Sequence, residues 1–382
     1  MAQAWIKAAF YRGGTSKGLV FHARDLPAER AAIEPILLAA LGSPDPNGRQ
    51  LNGMGGGLSS LSKAVIVGPP THSDVDIDYT FAQIAVDQPR VDWSGNCGNL
   101  SALLGPFAVD EGLVLRPDGE ALVRIHQVNT GRLIHARFEV KAGQAVTEGT
   151  LAIDGVAGTG ACITLDFLAP GGALTGRLLP TGRTVDEGER TDGTKIAMSL
   201  VDAGNAVAFV RARDLGLSGQ ERPDEIEARP GLLAELDGLR RQAGVLMGLA
   251  DTPPDVPLGN PKIALLAEPA PFTALDGRTI GAEAYDIAIR IVSMRRPHRA
   301  VSMTGASCLA VACRVPGTLA QQLCTAGPDA AIRVGHPSGT IGVDAEVVDE
   351  GGWVARRTSL TRTVRRLMDG AVGVPAHLVP TL

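Results

Sequence analysis

The chain has 382 residues, 45% of them hydrophobic and 20% charged, an ordinary globular mix long enough for about two or three domains. A net charge of −5 excludes a global basic field that would attract nucleic acid. No apolar run reaches ~18 residues and the start, MAQAWIKAAF, lacks the apolar core of a leader, so neither a membrane span nor secretion is expected. The 47 glycines and 25 prolines imply many turns and short elements. Five cysteines (97, 162, 308, 313 and 324) form no CxxC pair, which points to a reduced, cytoplasmic protein rather than a disulfide scaffold or zinc site.

In chain order, Ile6 to Phe10 and Leu19 to Phe21 read as strands joined through Arg12-Gly13-Gly14-Thr15-Ser16-Lys17-Gly18. Three glycines with hydroxyls and two cations make either an anion-binding loop or a solvated hairpin turn; the Walker spacing is missing. Residues 28 to 41 form an amphipathic helix that ends before GSPDPNG. Gly53, Gly55, Gly56 and Gly57, then Ser59, Ser60 and Ser62, make a mobile polar loop closed by Lys63, directly before the strand Ala64 to Val67. A lysine at a strand entrance points either to solvent or into a cleft, where desolvation lowers its pKa and makes it a usable base. Asp74, Asp76 and Asp78 alternate as on a strand with one wet face, and no metal is assigned to them.

Ser94-Gly95-Asn96-Cys97-Gly98-Asn99 comes next, followed by LSALLGPFAV. Glycine and asparagine flank a cysteine in a stretch unsuited to a helix or strand interior, and Leu100, Leu103, Leu104, Phe107 and Ala108 have the spacing of a buried helical face. Cys97 therefore belongs to a turn just ahead of a helix. Outward N–H groups and the positive end of the helix dipole there lower a thiol's pKa and hold a carboxylate. The plainer alternative is a capped helix with a small buried cysteine.

Short Val-, Ile- and Thr-rich runs follow (ALVRIHQVNTG, LIHARFEVK, TLAIDG and CITLDFLAP), as in antiparallel strands. Gly171-Gly172 and the segment after them mark a domain boundary, giving domains 1–180 and 181–382. The second half repeats the first. GLVFHARDL (18–26) matches VAFVRARDL (207–215), and MTGASCLAVACRVPG (303–317) has the form of SGNCGNLSALLGPFA. The period is too long for a solenoid and suggests two related domains, each offering a helix N-terminus.

RGGTSKG, GSPDP, GMGG with its SSxSK lysine, VDWSGNCGN, GHPSG (335–339) and RLMDG occur in this order along the whole chain. Together they resemble the 2-methylaconitate cis-trans isomerase (PrpF-like) family, a branch of the diaminopimelate epimerase-like fold. The resemblance implies an α/β (α+β) architecture of two similar domains. Each has a curved, mostly antiparallel sheet around a central helix, with the active site between the domains. It also implies a cofactor-independent isomerase that moves a proton at carbon in an unsaturated di- or tricarboxylate, with catalytic residues falling on Lys63 and Cys97. The forms SGNCGN and GMGGGLSSLSK look closer to 2-methylaconitate isomerases than to the oxalomesaconate enzymes, which tend to have QNCGN. Epimerases of this fold use one cysteine per domain, but Met303-Thr304-Gly305-Ala306-Ser307 has none. Cys308, Cys313 and Cys324 lie further on and are expected to be inert.

The chemistry expected is loss of a proton to form a dienolate, whose charge helix N-terminal N–H groups stabilise. Lys63 and Cys97 divide the roles of base and acid. Arg12, Thr15, Ser16 and Lys17 would clamp one carboxylate, with Asn96, Gly98 and Asn99 holding another beside Ser62. His298, Gly305, Ala306 and Ser307 would supply donors from the second domain. Arg12 pairing with a surface acid and His298 capping a turn are the plain alternatives. The partners expected are the small carboxylate, no nucleic acid and no membrane, with a homodimer as the candidate assembly. A two-cysteine epimerase, a tricarboxylate-binding protein without catalysis and a cofactor-dependent enzyme are the rival readings; no GxGxxG unit supports the last.

Overall fold

The computed structural model describes residues 2–379. Packing divides them into two units. The first runs to Leu165 and resumes at Thr361; the second is Asp166–Leu360. The break expected near residue 180 thus falls inside the second unit, and the final strand, Val364–Pro375, returns to the first because it pairs antiparallel with the opening strand.

The first unit holds β1 (Gln3–Gly13), β2 (Ser16–His22), α1 (Arg30–Leu41), β3 (Lys63–Gly68), β4 (Ile77–Ile84), β5 (Val91–Asp92), α2 (Gly98–Asp110), β6 (Gly119–Gln127) and β7 (Arg132–Lys141). Neighbours pair in the order 1-2-3-4-6-7, with senses antiparallel, parallel, antiparallel, parallel and antiparallel. β5 is a short antiparallel partner of β4.

Strand alternation gives this sheet two apolar faces. Ile6, Ala8, Phe10, Leu19, Phe21, Ala64 and Ile66 meet Ile33, Ile36, Leu37, Ala40 and Leu41 of α1. Ile36, Leu37 and Leu41 are fully buried, each contributing roughly 1.5–3 kcal/mol of transfer free energy. On the opposite face the Tyr11 and Phe107 rings meet edge to face at 6.1 Å. Residues Gly98 to Val109 of α2 are all buried, as a helix apolar on every side requires.

The second unit repeats the plan with β8 (Lys195–Asp202), β9 (Ala206–Arg211), α3 (Leu232–Leu246), β10 (Lys262–Ala267), β11 (Ile287–Ser293), β12 (Arg296–Pro297), α4 (Met303–Arg314), β13 (Ile332–His336) and β14 (Gly339–Asp349). Strand order 8-9-10-11-13-14 carries the same sequence of senses, with β12 beside β11 as β5 is beside β4. The two ARDL segments end the equivalent strands β2 and β9 in one turn of 3-10 helix, so that short repeat marks a genuine structural one. Among the described residues no helix is long and apolar enough to cross a membrane.

Candidate active site

RGGTSKG folds as a tight hairpin. Gly13 pairs with Ser16, leaving Gly14-Thr15 as a two-residue turn. Gly14 has φ +51° and its N–H donates to the Thr363 carbonyl, so it offers no free amide to an anion. The glycines serve close approach instead. A methyl at Gly13 would run into the Asn99 carbonyl oxygen, and one at Gly18 would lie 2.7 Å from the Lys63 carbonyl oxygen. They let the hairpin lie directly against the start of α2 and the entrance of β3.

Alternation then sorts the loop's polar residues. Ser16 and Gly18 face α2, while Lys17 shares the face of Phe10 and Leu19, its Nζ 5.8 Å from the Phe10 ring centre. Arg12 pairs in register with Lys17 and takes the same side, and its Nη1 donates to the Gly14 (3.1 Å) and Thr363 (2.8 Å) carbonyls. The expected clamp is therefore divided. Thr15 and Ser16 stand by α2, and Arg12 and Lys17 do not.

Cys97 is the N-cap residue of α2, in extended backbone, and its carbonyl accepts from Ser101 N–H at 2.9 Å. No side chain caps the helix, so the amides of Gly98, Asn99 and Leu100 stay outside its hydrogen-bond ladder. The Cys97 thiol lies 4.0 Å from Ser16 Oγ. Asn99 Nδ2 donates to Thr15 Oγ1 (3.0 Å) and Ser16 Oγ (3.5 Å). Asn96 is turned inward, its Oδ1 accepting from Tyr79 OH at 2.6 Å, and Tyr79 also bonds Ser101 Oγ at 2.9 Å. Burial pushes the Tyr79 phenol far up, so it stays a neutral tie across the turn.

Lys63 opens β3 at 8% exposure. Its Nζ donates to Gln83 Oε1 on the paired strand and lies 5.1 Å from the Phe81 ring centre. Gln83 is held in turn by the Ser62 (2.9 Å) and Ser59 (3.1 Å) carbonyls. A buried ammonium facing a neutral amide has its pKa lowered by desolvation; the charge of Cys97 nearby opposes this to a lesser degree. Ser62 is spent on structure, since its Oγ accepts from Gln50 Nε2 at 2.7 Å. The glycine loop before it is packed rather than loose: a methyl at Gly53 would overlap the backbone at Leu41-Gly42.

Sequence reasoning missed Arg362. It lies at the end of the strand Trp353–Arg362, is 5% exposed, and its Nε donates to Asn99 Oδ1 at 3.0 Å. Nothing in TSLTRTVRR separates it from Arg365 and Arg366 by spacing; only the fold does.

In the second unit the expected donor turn is already helical. α4 starts at Met303, and its N-cap is Ser302, whose Oγ accepts from Gly305 N–H at 3.2 Å. The Ala306 N–H goes to the Ser302 carbonyl, so Gly305 and Ala306 offer no free backbone donor, while Ser307 Oγ is buried without a hydrogen-bond partner. His298 follows β12, its N–H donating to the Ile291 carbonyl. Cys308 is fully buried, its thiol on the Val201 carbonyl at 3.4 Å and pushed up by burial; Cys313 is pushed up likewise. Cys324 departs from the expected inertness. It is half-buried, and a hydrogen bond from Cys313 lowers its pKa to about 7. The aspartates differ too. Asp76 pairs with Arg116 (2.9 Å) and Arg124 (3.2 Å), and Asp78 is buried against Thr71, so neither lies on a wet face.

Cys97, Ser16 and Asn99 thus meet at an uncapped helix start, with Lys63 within electrostatic reach of Cys97 and Arg362 bonded to Asn99. The arrangement suits a small polyanion that must gain and lose a proton.

The family model described as "PrpF protein" matches residues 3–375. The 3-methylitaconate isomerase of Eubacterium barkeri is 39% identical over 97% of this chain and 98% of its own length. The 2-methyl-aconitate isomerase of Shewanella oneidensis is 37% identical over 98% of each chain. The (4E)-oxalomesaconate Delta-isomerase of a Novosphingobium species is 38% identical over 95% of this chain and 96% of its own. The crystal structure of a methylitaconate-delta-isomerase superposes with a TM-score of 0.83 at 38% identity, covering 100% of this chain and 98% of that one. A hydroxyproline epimerase from Agrobacterium vitis (TM-score 0.56, 15% identity, 99% of this chain and 96% of that one) shares the fold alone. Matched along almost its whole length by the family model and by named isomerases, the chain belongs to the PrpF family and is an isomerase.

Proposed function

We propose that the enzyme shifts a proton at carbon in an unsaturated tricarboxylate, with 2-methylaconitate as the substrate and Lys63 and Cys97 as the proton-transfer pair. The observation that carries this reading is the buried Lys63 side-chain nitrogen, held by a neutral glutamine within electrostatic reach of a thiol at an uncapped helix start, so that burial favours its neutral form. A substrate carboxylate accepts from the free amides of Gly98, Asn99 and Leu100. One member of the pair removes a proton from the carbon allylic to the double bond, and the electron pair left behind spreads as a dienolate onto the carboxylate. The other member returns a proton to the far carbon or, after rotation about the transient single bond, to the original one. The first outcome moves the double bond; the second converts cis to trans. The lowered pKa of Lys63 favours the amine as base. The fixed amides stabilise the dienolate at little reorganisation cost.

The substrate follows the sequence forms of the two motifs and the 2-methyl-aconitate isomerase relative. The methylitaconate and oxalomesaconate relatives support a second reading, a Δ-isomerase on either of those skeletons. The cysteines, all free, fit a reducing compartment, and we place the enzyme in the cytoplasm. Proton NMR in D₂O against 2-methylaconitate, trans-aconitate, methylitaconate and oxalomesaconate tests the assignment. Fastest exchange and isomerisation of 2-methylaconitate is the expected result. Exchange confined to one of the others moves the assignment to that skeleton, and none with any of the four sinks it.

A further inference from the structure

We propose that Arg362 is the anchor for a second carboxylate of the substrate at the start of α2, an inference that rests on the polycarboxylate reading above. Its bonds go to neutral acceptors: Nε to Asn99 Oδ1 at 3.0 Å and Nη1 to the Thr361 carbonyl at 2.8 Å. Among the described residues no carboxylate pairs with it and Nη2 makes no bond, while burial alone lowers the guanidinium to about 10. A buried cation without a counter-ion is a standing cost that a bound anion relieves, and the planar guanidinium fork matches a carboxylate.

Two further features fit. A methyl at Gly14 would run into Asn99 Oδ1 and come 3.0 Å from Arg362 Cδ, so the hairpin is cut back to glycine where the bonded Asn99 and Arg362 side chains meet. By occupying Asn99 Oδ1, Arg362 also turns the amide nitrogen of Asn99 toward Thr15 and Ser16, and Ser16 Oγ lies 4.0 Å from the Cys97 thiol. One carboxylate on the amides of Gly98 to Leu100 and a second on Arg362 make two carboxylates the minimum requirement. Monocarboxylic alkenes are then poor ligands, however well they fit otherwise.

The probe is tricarballylate, a saturated tricarboxylate that binds without reacting, titrated calorimetrically into the full chain. Arg362→Gln should weaken it by at least about 10-fold, the scale of a lost charge-assisted hydrogen bond, and raise KM for the isomerised substrate in parallel with kcat within about threefold. Arg362→Lys should recover part of the loss. Asn99→Asp supplies the missing counter-ion from the protein itself, so it should raise the melting temperature while weakening tricarballylate. A folded Arg362→Gln that binds tricarballylate within about threefold of wild type overturns the proposal. Should that variant not fold, undiminished binding by Asn99→Asp overturns it equally. If the wild type itself does not bind tricarballylate, the polycarboxylate reading falls and this inference with it.

Discussion

α2 and α4 occupy the same place in the two repeats and both are buried through their first three turns, yet their beginnings are finished differently. Ser302 caps α4 by accepting the Gly305 N–H, which takes one of the three first-turn amides out of reach of a ligand. Cys97 stands at the same position of α2 and caps nothing, because a thiol is a weak acceptor. An N-cap bond stabilises a helix by about 1 kcal/mol. The first repeat forgoes it and keeps free amides beside a thiol and two buried basic side chains, Lys63 and Arg362. The same fold therefore supplies one helix start built for stability and one left open for an anion.

Removing the chemistry from the open end is the strongest way to test that contrast. Lys63→Met keeps nearly the same side-chain length, so the fold should survive while kcat falls by at least ~10², the scale of a lost acid–base group. A variant retaining more than about a tenth of wild-type kcat would show that Lys63 is not the base. The wild-type profile carries the same information. Lys63 must be neutral to accept a proton and its pKa lies below the ordinary 10.5, so kcat should rise with pH through an inflection below 10.5. The native state holds fewer protons on Lys63 than the unfolded chain does. Stability contributed at this site therefore rises with pH from the folded pKa up to 10.5 and is level above it. Lys63→Met should flatten that part of the stability profile.

Cys97→Ser turns the open start into a copy of the closed one. Serine is a far weaker acid than a thiol of ordinary pKa ~8.5, so turnover should drop by ~10² or more. Its hydroxyl can now cap the Leu100 N–H, and stability should rise by up to about 1 kcal/mol in denaturant melts. A loss of stability together with activity would mean that the thiol is a packing element rather than a reactive group.

The closed end should answer in the opposite sense. Ser302→Ala removes a real cap and should cost about 1 kcal/mol, with kcat within about threefold of wild type. Loss of turnover comparable to that of Cys97→Ser would make the second helix start part of the chemistry.

How far this contrast could be read beforehand depends on what each residue type constrains. Glycine and asparagine around Cys97 announce a turn, and the apolar run after it announces a buried helix, so Cys97 and α2 were legible. Lys63 was legible from its place at a strand entrance. Arg12 and Lys17 were misplaced because the face of a strand residue depends on hairpin register. A two-residue turn at Gly14-Thr15 sends them to the α1 side while Ser16 goes to α2. The donors assigned at Gly305 to Ser307 failed for a related reason. Ser302 starts the helix earlier than the glycine suggests, and the cap and the helical ladder absorb the Gly305 and Ala306 amides. Arg362 reaches the site from the other end of the sequence, where its significance lies in a tertiary contact with Asn99 that no local pattern encodes.

The smallest expected effect concerns Cys308, the thiol nearest in sequence to the closed helix start. It is fully buried, its hydrogen goes to the Val201 carbonyl, and burial pushes its pKa up, so it has neither access nor a thiolate to offer. Cys308→Ser should leave kcat within a few-fold of wild type. Iodoacetamide should leave Cys308 and Cys313 unlabelled while reaching the exposed Cys162 and the half-buried Cys324, whose pKa near 7 favours the thiolate. Cys97 should label as well, and tricarballylate should protect it while leaving Cys162 and Cys324 unchanged. If Cys308→Ser instead abolishes turnover and ligand protects both Cys97 and Cys308, the two helix starts act as partners. The enzyme would then be a two-thiol racemase or epimerase, and the contrast between an open and a closed end would dissolve.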